Sequence, residues 1–214
     1  MQLAAFHYFE ILSLLLAIAC YRGLRSFNLS TYIPLLVMVN IVELIAYNIP
    51  GNNYYMYNLL ILLQAPAFLF VFSRMLRLRE NELIYFRIIS ALTIFFILLN
   101  YFFWQGKTNF NNYSFILTQL IYIVLSGLVL LRLFMLEENG LPMLRHPYFW
   151  INAGQLLFGI TLLVLLGLQP YILDQKIMIN GQSLYTFLIP KATILLYAFY
   201  SIAFILCRQK IVKS

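Results

Sequence analysis

Seven stretches of about twenty apolar residues, each closed by a short polar or turn-forming break, constrain this chain more than any other feature of its sequence. They cover 3–20, 31–49, 54–73, 84–104, 113–134, 147–168 and 184–207. A bilayer core ~30 Å thick is crossed by ~20 helical residues, so each stretch has the length of one crossing. In lipid every backbone N–H and C=O must be satisfied within the segment or a closed barrel, which makes these stretches helices. The breaks fit: Asn48-Ile-Pro-Gly-Asn-Asn is a turn cluster, Gln105-Gly-Lys-Thr-Asn-Phe-Asn-Asn is polar, and Glu137-Glu-Asn-Gly-Leu-Pro stops a helix with Gly and Pro. Only 10% of the residues are charged and 63% are hydrophobic. Soluble domains carry roughly 25% charged residues, so a soluble enzyme core or a disordered chain is excluded. The expected fold is all-α: a polytopic membrane bundle of seven transmembrane helices forming one domain over 1–214.

Lysine and arginine set the orientation. Arg22 and Arg25 lie in the first connection, Arg74, Arg77, Arg79 and Arg87 around the third, Arg132 and Arg145 around the fifth, and Arg208, Lys210 and Lys213 in the tail. The other side has only Lys107 and Lys176. Cationic loops stay in the cytoplasm, which predicts an outer amino terminus and a cytoplasmic carboxyl terminus. Tyr54, Tyr55, Trp104, Tyr148 and Trp150 stand at span ends, where aromatic rings anchor to the interface. The net charge of +7 is this bias plus attraction to membrane lipids, and it calls for no nucleic-acid partner. Leu16-Ala-Ile-Ala-Cys20 faintly resembles a cleavage box, but Arg22 and Arg25 follow it and no basic residue precedes it, so the first span reads as retained. Cys20 and Cys207 both fall at cytoplasmic ends and read as small apolar fillers rather than a disulfide. The three-plus-one-plus-three plan of sugar transporters also gives seven helices, but the first and last three spans share no motif.

Charge inside a span is costly and is a candidate for function wherever it occurs. Glu10, Glu43 and Lys191 are the deep charges. At 1.5 Å per residue each lies roughly 10 Å below the outer edge of its span. His7 and Glu10 share a helix face, as do Asn40, Glu43 and Tyr47, and Gln119, Tyr122 and Ser126. Asn58, Gln64, Asn152 and Gln155 add further polar positions, and Pro190 frees a carbonyl beside Lys191. Two readings follow. Lys191 and an acid form a clasp that only holds helices together, or the same groups line an outward-facing polar pocket for a small molecule, lipid or ion.

Most catalytic chemistries fail on inventory. Zinc hydrolases of the membrane need several histidines, and only His7 and His146 exist, on opposite sides. His7, Glu10 and Ser13 sit on one helix, whereas a hydrolytic triad draws on separate elements. A lysine in the last of seven helices resembles a retinal protein, but the third span lacks the acid that would serve as counter-ion. No phosphate loop, dinucleotide fingerprint, nucleophile elbow or C-x-x-C occurs. No cofactor, metal site or catalytic residue is therefore assigned.

Pro147-Tyr-Phe-Trp-Ile-Asn-Ala-Gly, Asn52-Asn-Tyr-Tyr-Met-Tyr-Asn58, Val42-Glu43-Leu-Ile-Ala-Tyr47 and the stretch from Leu195-Leu-Tyr197 to Ile205-Leu-Cys207 resemble the corresponding helices of small seven-helix membrane proteins abundant in Bacteroidota. That resemblance implies a sensory or signalling module of a bacterial inner membrane, with a sensor histidine kinase as partner. Lys191 matches no motif of that family. The expectation is a receptor-like module binding its ligand at Glu10, Glu43, Lys191, His7, Asn40, Tyr47, Gln119 and Tyr122, and relaying through its cytoplasmic connections. A small secondary transporter coupled through Glu43 and Lys191, and a lipid-modifying enzyme using His7 or Glu10, are the alternatives.

Overall fold

The computed structural model describes residues 4–49, 53–136, 142–175, 177–179 and 181–212. Leu3, the turn residues 50–52, the break at 137–141, and Lys176 and Lys213 of the charge argument lie outside them. The described chain is helical throughout except for one small hairpin. In order it forms α1 (Ala5–Ala19), α2 (Tyr21–Ser26), α3 (Tyr32–Asn48), α4 (Tyr54–Leu76), α5 (Glu80–Leu99) continued by a π-turn (Asn100–Trp104), α6 (Asn112–Leu136), α7 (Pro147–Gly167), α8 (Gln169–Asp174), the strands β1 (Met178–Ile179) and β2 (Gln182–Ser183), and α9 (Leu184–Val212).

Five helices are long and apolar enough to cross a membrane: Tyr54–Leu76, Glu80–Trp104, Asn112–Met135, Pro147–Gly167 and Leu184–Arg208. α1 and α3 are apolar but shorter, at 15 and 17 residues. Burial is inverted relative to a soluble protein. On α1 the buried face is His7, Glu10, Ser13 and Ala17, while Tyr8, Leu12, Leu15 and Ile18 face outward. On α6 Gln119, Tyr122 and Ser126 are buried and Leu120, Val124, Leu128 and Leu131 exposed. α5 presents Ile84, Ile88, Ile89, Leu92 and Phe95 outward. Water would penalise that surface heavily, and lipid does not, because its tails are as apolar as leucine. The chain is a helical membrane protein.

Its helices group into two compact units, Met1–Gly23 with Gln119–Ser214, and Leu24–Thr118. The first unit is built on α9, against which α7 and α1 pack. Small residues permit the close approach. A Cβ on Gly154 would stand 2.9 Å from Cβ of Phe199, and one on Gly159 would stand 2.9 Å from Cγ1 of Ile123. Gly23 is the tightest: its Cβ would lie 2.6 Å from the Cys207 carbonyl carbon and oxygen. α7 starts on Pro147, with Nδ1 of His146 accepting from the Tyr148 amide at 3.2 Å and the Trp150 indole donating to the Leu144 carbonyl at 2.7 Å. The connection 169–183 contains α8 and the hairpin, which turns at Gly181 with φ 77°.

In the second unit α3 packs on α4 and α4 on α5. Ile61, Ala65 and Ile97 form its apolar centre, with Leu62, Phe110 and Phe115 against them. Between α4 and α5 the chain reverses at Arg77, whose φ of 43° supplies the left-handed turn usually given to glycine. The Arg79 amide then donates to Oε2 of Glu82 at 3.0 Å, capping α5.

Candidate functional site

The eight candidate residues divide between the units. His7, Glu10, Gln119, Tyr122 and Lys191 belong to the first, and Asn40, Glu43 and Tyr47 to the second.

In the first unit the polar stripe of α1 is turned inward. His7 is 3% exposed and Glu10 2%, and the Ser13 hydroxyl donates to the Glu10 backbone carbonyl at 2.9 Å. That bond holds the hydroxyl to its own helix, so Ser13 is not presented as a nucleophile beside His7 and Glu10. α1 packs along α9, and just past its end Gly23 of α2 meets the Cys207 backbone. Tyr197, Tyr200 and Ser201 lie on the buried side of α9.

From Tyr197 the polar interior continues. The rings of Tyr197 and Tyr200 meet edge to face with centroids 5.9 Å apart. The Tyr200 hydroxyl donates to Oε1 of Gln155 on α7 at 2.7 Å, and Tyr122 on α6 lies within electrostatic range of Tyr200. One turn before Tyr122, Gln119 turns its Oε1 to within 3.5 Å of where a Cβ on Gly159 would sit. That oxygen and the hydroxyls of Ser126 and Ser201 are buried without a hydrogen-bond partner among the described residues. Asn152 sends its amide to the Tyr148 carbonyl at 2.7 Å. Four helices thus enclose an acid, a histidine, tyrosine hydroxyls and carboxamides.

Lys191 does not join them. It is exposed, and its Nζ lies over the Phe187 ring, 2.9 Å from the centroid. It forms no ion pair with Glu10 among the described residues, so the clasp, one of the two readings, is not made between them.

In the second unit Glu43 is half-buried and its Oε2 accepts from the Tyr57 hydroxyl of α4 at 3.1 Å. Asn40 is buried and donates to the Leu36 carbonyl at 2.8 Å, while Tyr47 is 46% exposed. The face shared by these three therefore runs from interior to surface. A separate network holds the connection after α5. Asn58 donates to the Asn109 carbonyl at 2.7 Å and accepts from the Asn111 amide at 2.9 Å. Asn100 donates to Oε1 of Gln105 at 2.9 Å and to Oγ of Ser114 at 2.8 Å. Sequence reading singled out Asn58 but missed Tyr57, Asn100, Ser114, Tyr200 and Ser201. The periodic spacing of Tyr197, Tyr200 and Ser201 beside the buried face of α9 was the available signal. No protein-family model, curated protein or solved structure matches this chain.

Proposed function

We propose that the chain crosses a bacterial inner membrane seven times, amino terminus outside and carboxyl terminus in the cytoplasm, as a receptor-like sensor module. α1 and α3 would be the two additional crossings. The inverted burial of α1 and the exposed Val37, Ile41, Leu44 and Ile45 of α3 support this, and 17 residues is the lower limit for spanning. The single observation that carries the reading is the polar interior of the first unit. Glu10, Tyr122 and Gln155 are buried, and Gln155 accepts from Tyr200, on four helices whose outer faces are apolar. Buried polar groups in a membrane interior are expensive, and three of the polar atoms there have no partner among the described residues. A ligand would satisfy them and shift the helices that contribute them. Arg22 in α2, next to Gly23, and Arg208 in the last turns of α9 flank the closest helix contact and would pass that shift to a cytoplasmic or membrane partner. By the sequence resemblance, a sensor histidine kinase is the first candidate.

The test is co-reconstitution with the histidine kinase of the same cell. Glu10→Gln should change kinase autophosphorylation at least several-fold with insertion intact. Unchanged kinase activity would remove the sensor reading. A small secondary transporter is the second reading, favoured by the Glu43–Tyr57 pair, a half-buried carboxylate suited to a coupling proton. Solute uptake driven by an imposed pH gradient and abolished by Glu43→Gln would establish it.

A further inference from the structure

We infer that the corner between α4 and α5 binds anionic phospholipids, met at their phosphates by Arg74 on α4 and Arg87 on α5. The inference uses the second unit alone and stands apart from the sensor reading. Both helices have the length and hydropathy of membrane spans. They pack on each other and reverse at Arg77, so the corner lies at a membrane surface. α5 buries only Thr93 and Ile97, which leaves most of its surface to lipid.

The corner carries Arg74, Arg77, Arg79 and Arg87 against Glu80 and Glu82, a net charge of +2, and all six side chains are exposed. Glu82 accepts from the Arg79 amide. Arg74 and Arg87 pair with no carboxylate among the described residues, and no acid stands one helical turn from either. The Arg74 side chain lies back along α4, its guanidinium 5.1 Å from the centroid of the Phe70 ring. Helical side chains lean toward the N-terminus of their helix, and on α4 that direction leads into the bilayer. Phe70 lies roughly 9 Å below the last residue of α4, and Arg87 roughly 10 Å below the first residue of α5. Both cations thus stand beside exposed apolar side chains, Phe70 for one and Ile84 and Ile88 for the other.

A guanidinium at that depth is costly unless an anion meets it. The anion native to that level of a bilayer is the lipid phosphate, which a guanidinium holds through two parallel hydrogen bonds. A soluble acidic protein would have to reach below the headgroups. A zwitterionic lipid brings an ammonium with its phosphate, which the surplus arginine charge repels, whereas a glycerol headgroup leaves the phosphate charge uncompensated. Ile84, Ile88 and Leu92 follow at helical spacing as an exposed apolar stripe beside Arg87, along which the acyl chains run.

The experiment is lipid retention by the purified full chain in detergent, counted by native mass spectrometry with phosphatidylglycerol and phosphatidylcholine of identical chains in equal amounts. Phosphatidylglycerol should be retained about ten-fold or more over phosphatidylcholine. Arg74→Gln and Arg87→Gln should each lower that preference about three- to five-fold, the worth of one arginine at a membrane surface. Each leaves three arginines at the corner, so the charge that orients the hairpin persists. Arg25→Gln removes the same charge from an exposed position of α2 and should leave the preference unchanged. Neither inorganic phosphate nor a hexaglutamate peptide at millimolar concentration should displace the lipid. Equal retention of the two lipids, or a preference untouched in both corner variants, would overturn the inference. So would an equal fall in Arg25→Gln, which would mean general surface charge. Displacement by phosphate or by the peptide would also overturn it, making the corner a soluble-anion site or a protein-docking site instead.

Discussion

Glycine 23 shows how much a single atom decides in this chain. Its α-carbon faces the Cys207 backbone, which cannot rotate away as a side chain could. Gly23→Ala should therefore destabilise the protein by about 1–3 kcal/mol, the usual cost of overpacking, seen as a lower unfolding temperature in detergent. Gly127 is the control: a Cβ there meets nothing within 4 Å, and Gly127→Ala should be neutral or stabilising by up to ~1 kcal/mol. No sequence pattern separates these two glycines, because the difference lies in what another helix places opposite them. Asn58 is the polar counterpart. Asn58→Ala takes the partner from the Asn109 carbonyl and from the buried Asn111 amide, costing about 1–3 kcal/mol. Amide exchange over 107–111 should accelerate in that variant, and unchanged exchange would show that the clamp is not what orders the connection.

Single helices show what hydrophobic periodicity could and could not say. α1 reads as uniformly apolar apart from His7, Glu10 and Ser13, and those three are what fix its rotation: they are buried and the leucines are not. Leu15→Arg should then hinder insertion by about 2.5–3.5 kcal/mol, reducing the carbonate-resistant membrane fraction, while Ser13→Ala should insert normally. Equal insertion of both variants would mean that the leucine face is not in lipid. α9 carries the opposite lesson. Its lysine was one of three deep charges read from the sequence, yet Lys191 is exposed with its Nζ over the Phe187 ring. Lys191→Met should change stability by less than about 1 kcal/mol, read as an unaltered unfolding temperature in detergent, as expected for an exposed charge on an aromatic ring. The groups that make the interior of α9 polar are Tyr197 and Tyr200, ordinary aromatic residues in a sequence containing 16 tyrosines. Only their spacing with Ser201 on one face of α9 sets them apart from interfacial anchors.

For the whole molecule, orientation is the prediction with the widest consequence. A fluorescent protein fused after Ser214 should fluoresce, as it does only in the cytoplasm, and alkaline phosphatase fused there should be inactive. The reverse pattern would invert the assignment of every connection, including the arginine-rich turn at Arg77. The apolar segments and the breaks between them were legible from the amino acids, and the helix ends agree to within a few residues: 54–73 became Tyr54–Leu76, and 147–168 became Pro147–Gly167. The segment 84–104 is itself part of one continuous helical run, α5 with its π-turn, because lipid accepts almost any apolar surface.

Sequence alone determined that the chain is helical, apolar outside and confined to a membrane, because one-dimensional hydropathy and the cost of unsatisfied backbone in lipid suffice for that. It also identified Glu10, His7, Gln119 and Tyr122 as residues that turn inward, since polar side chains on an otherwise apolar helix have only one favourable side. Tertiary structure decided which of those residues meet. The register of α1 on α9 is set by the Gly23–Cys207 contact, and the link from α9 to α7 by the Tyr200–Gln155 bond, both between residues far apart in sequence. Helix length and composition carry no information on such pairings. That is why Lys191, placed beside an acid by counting residues, is exposed with its Nζ over the Phe187 ring.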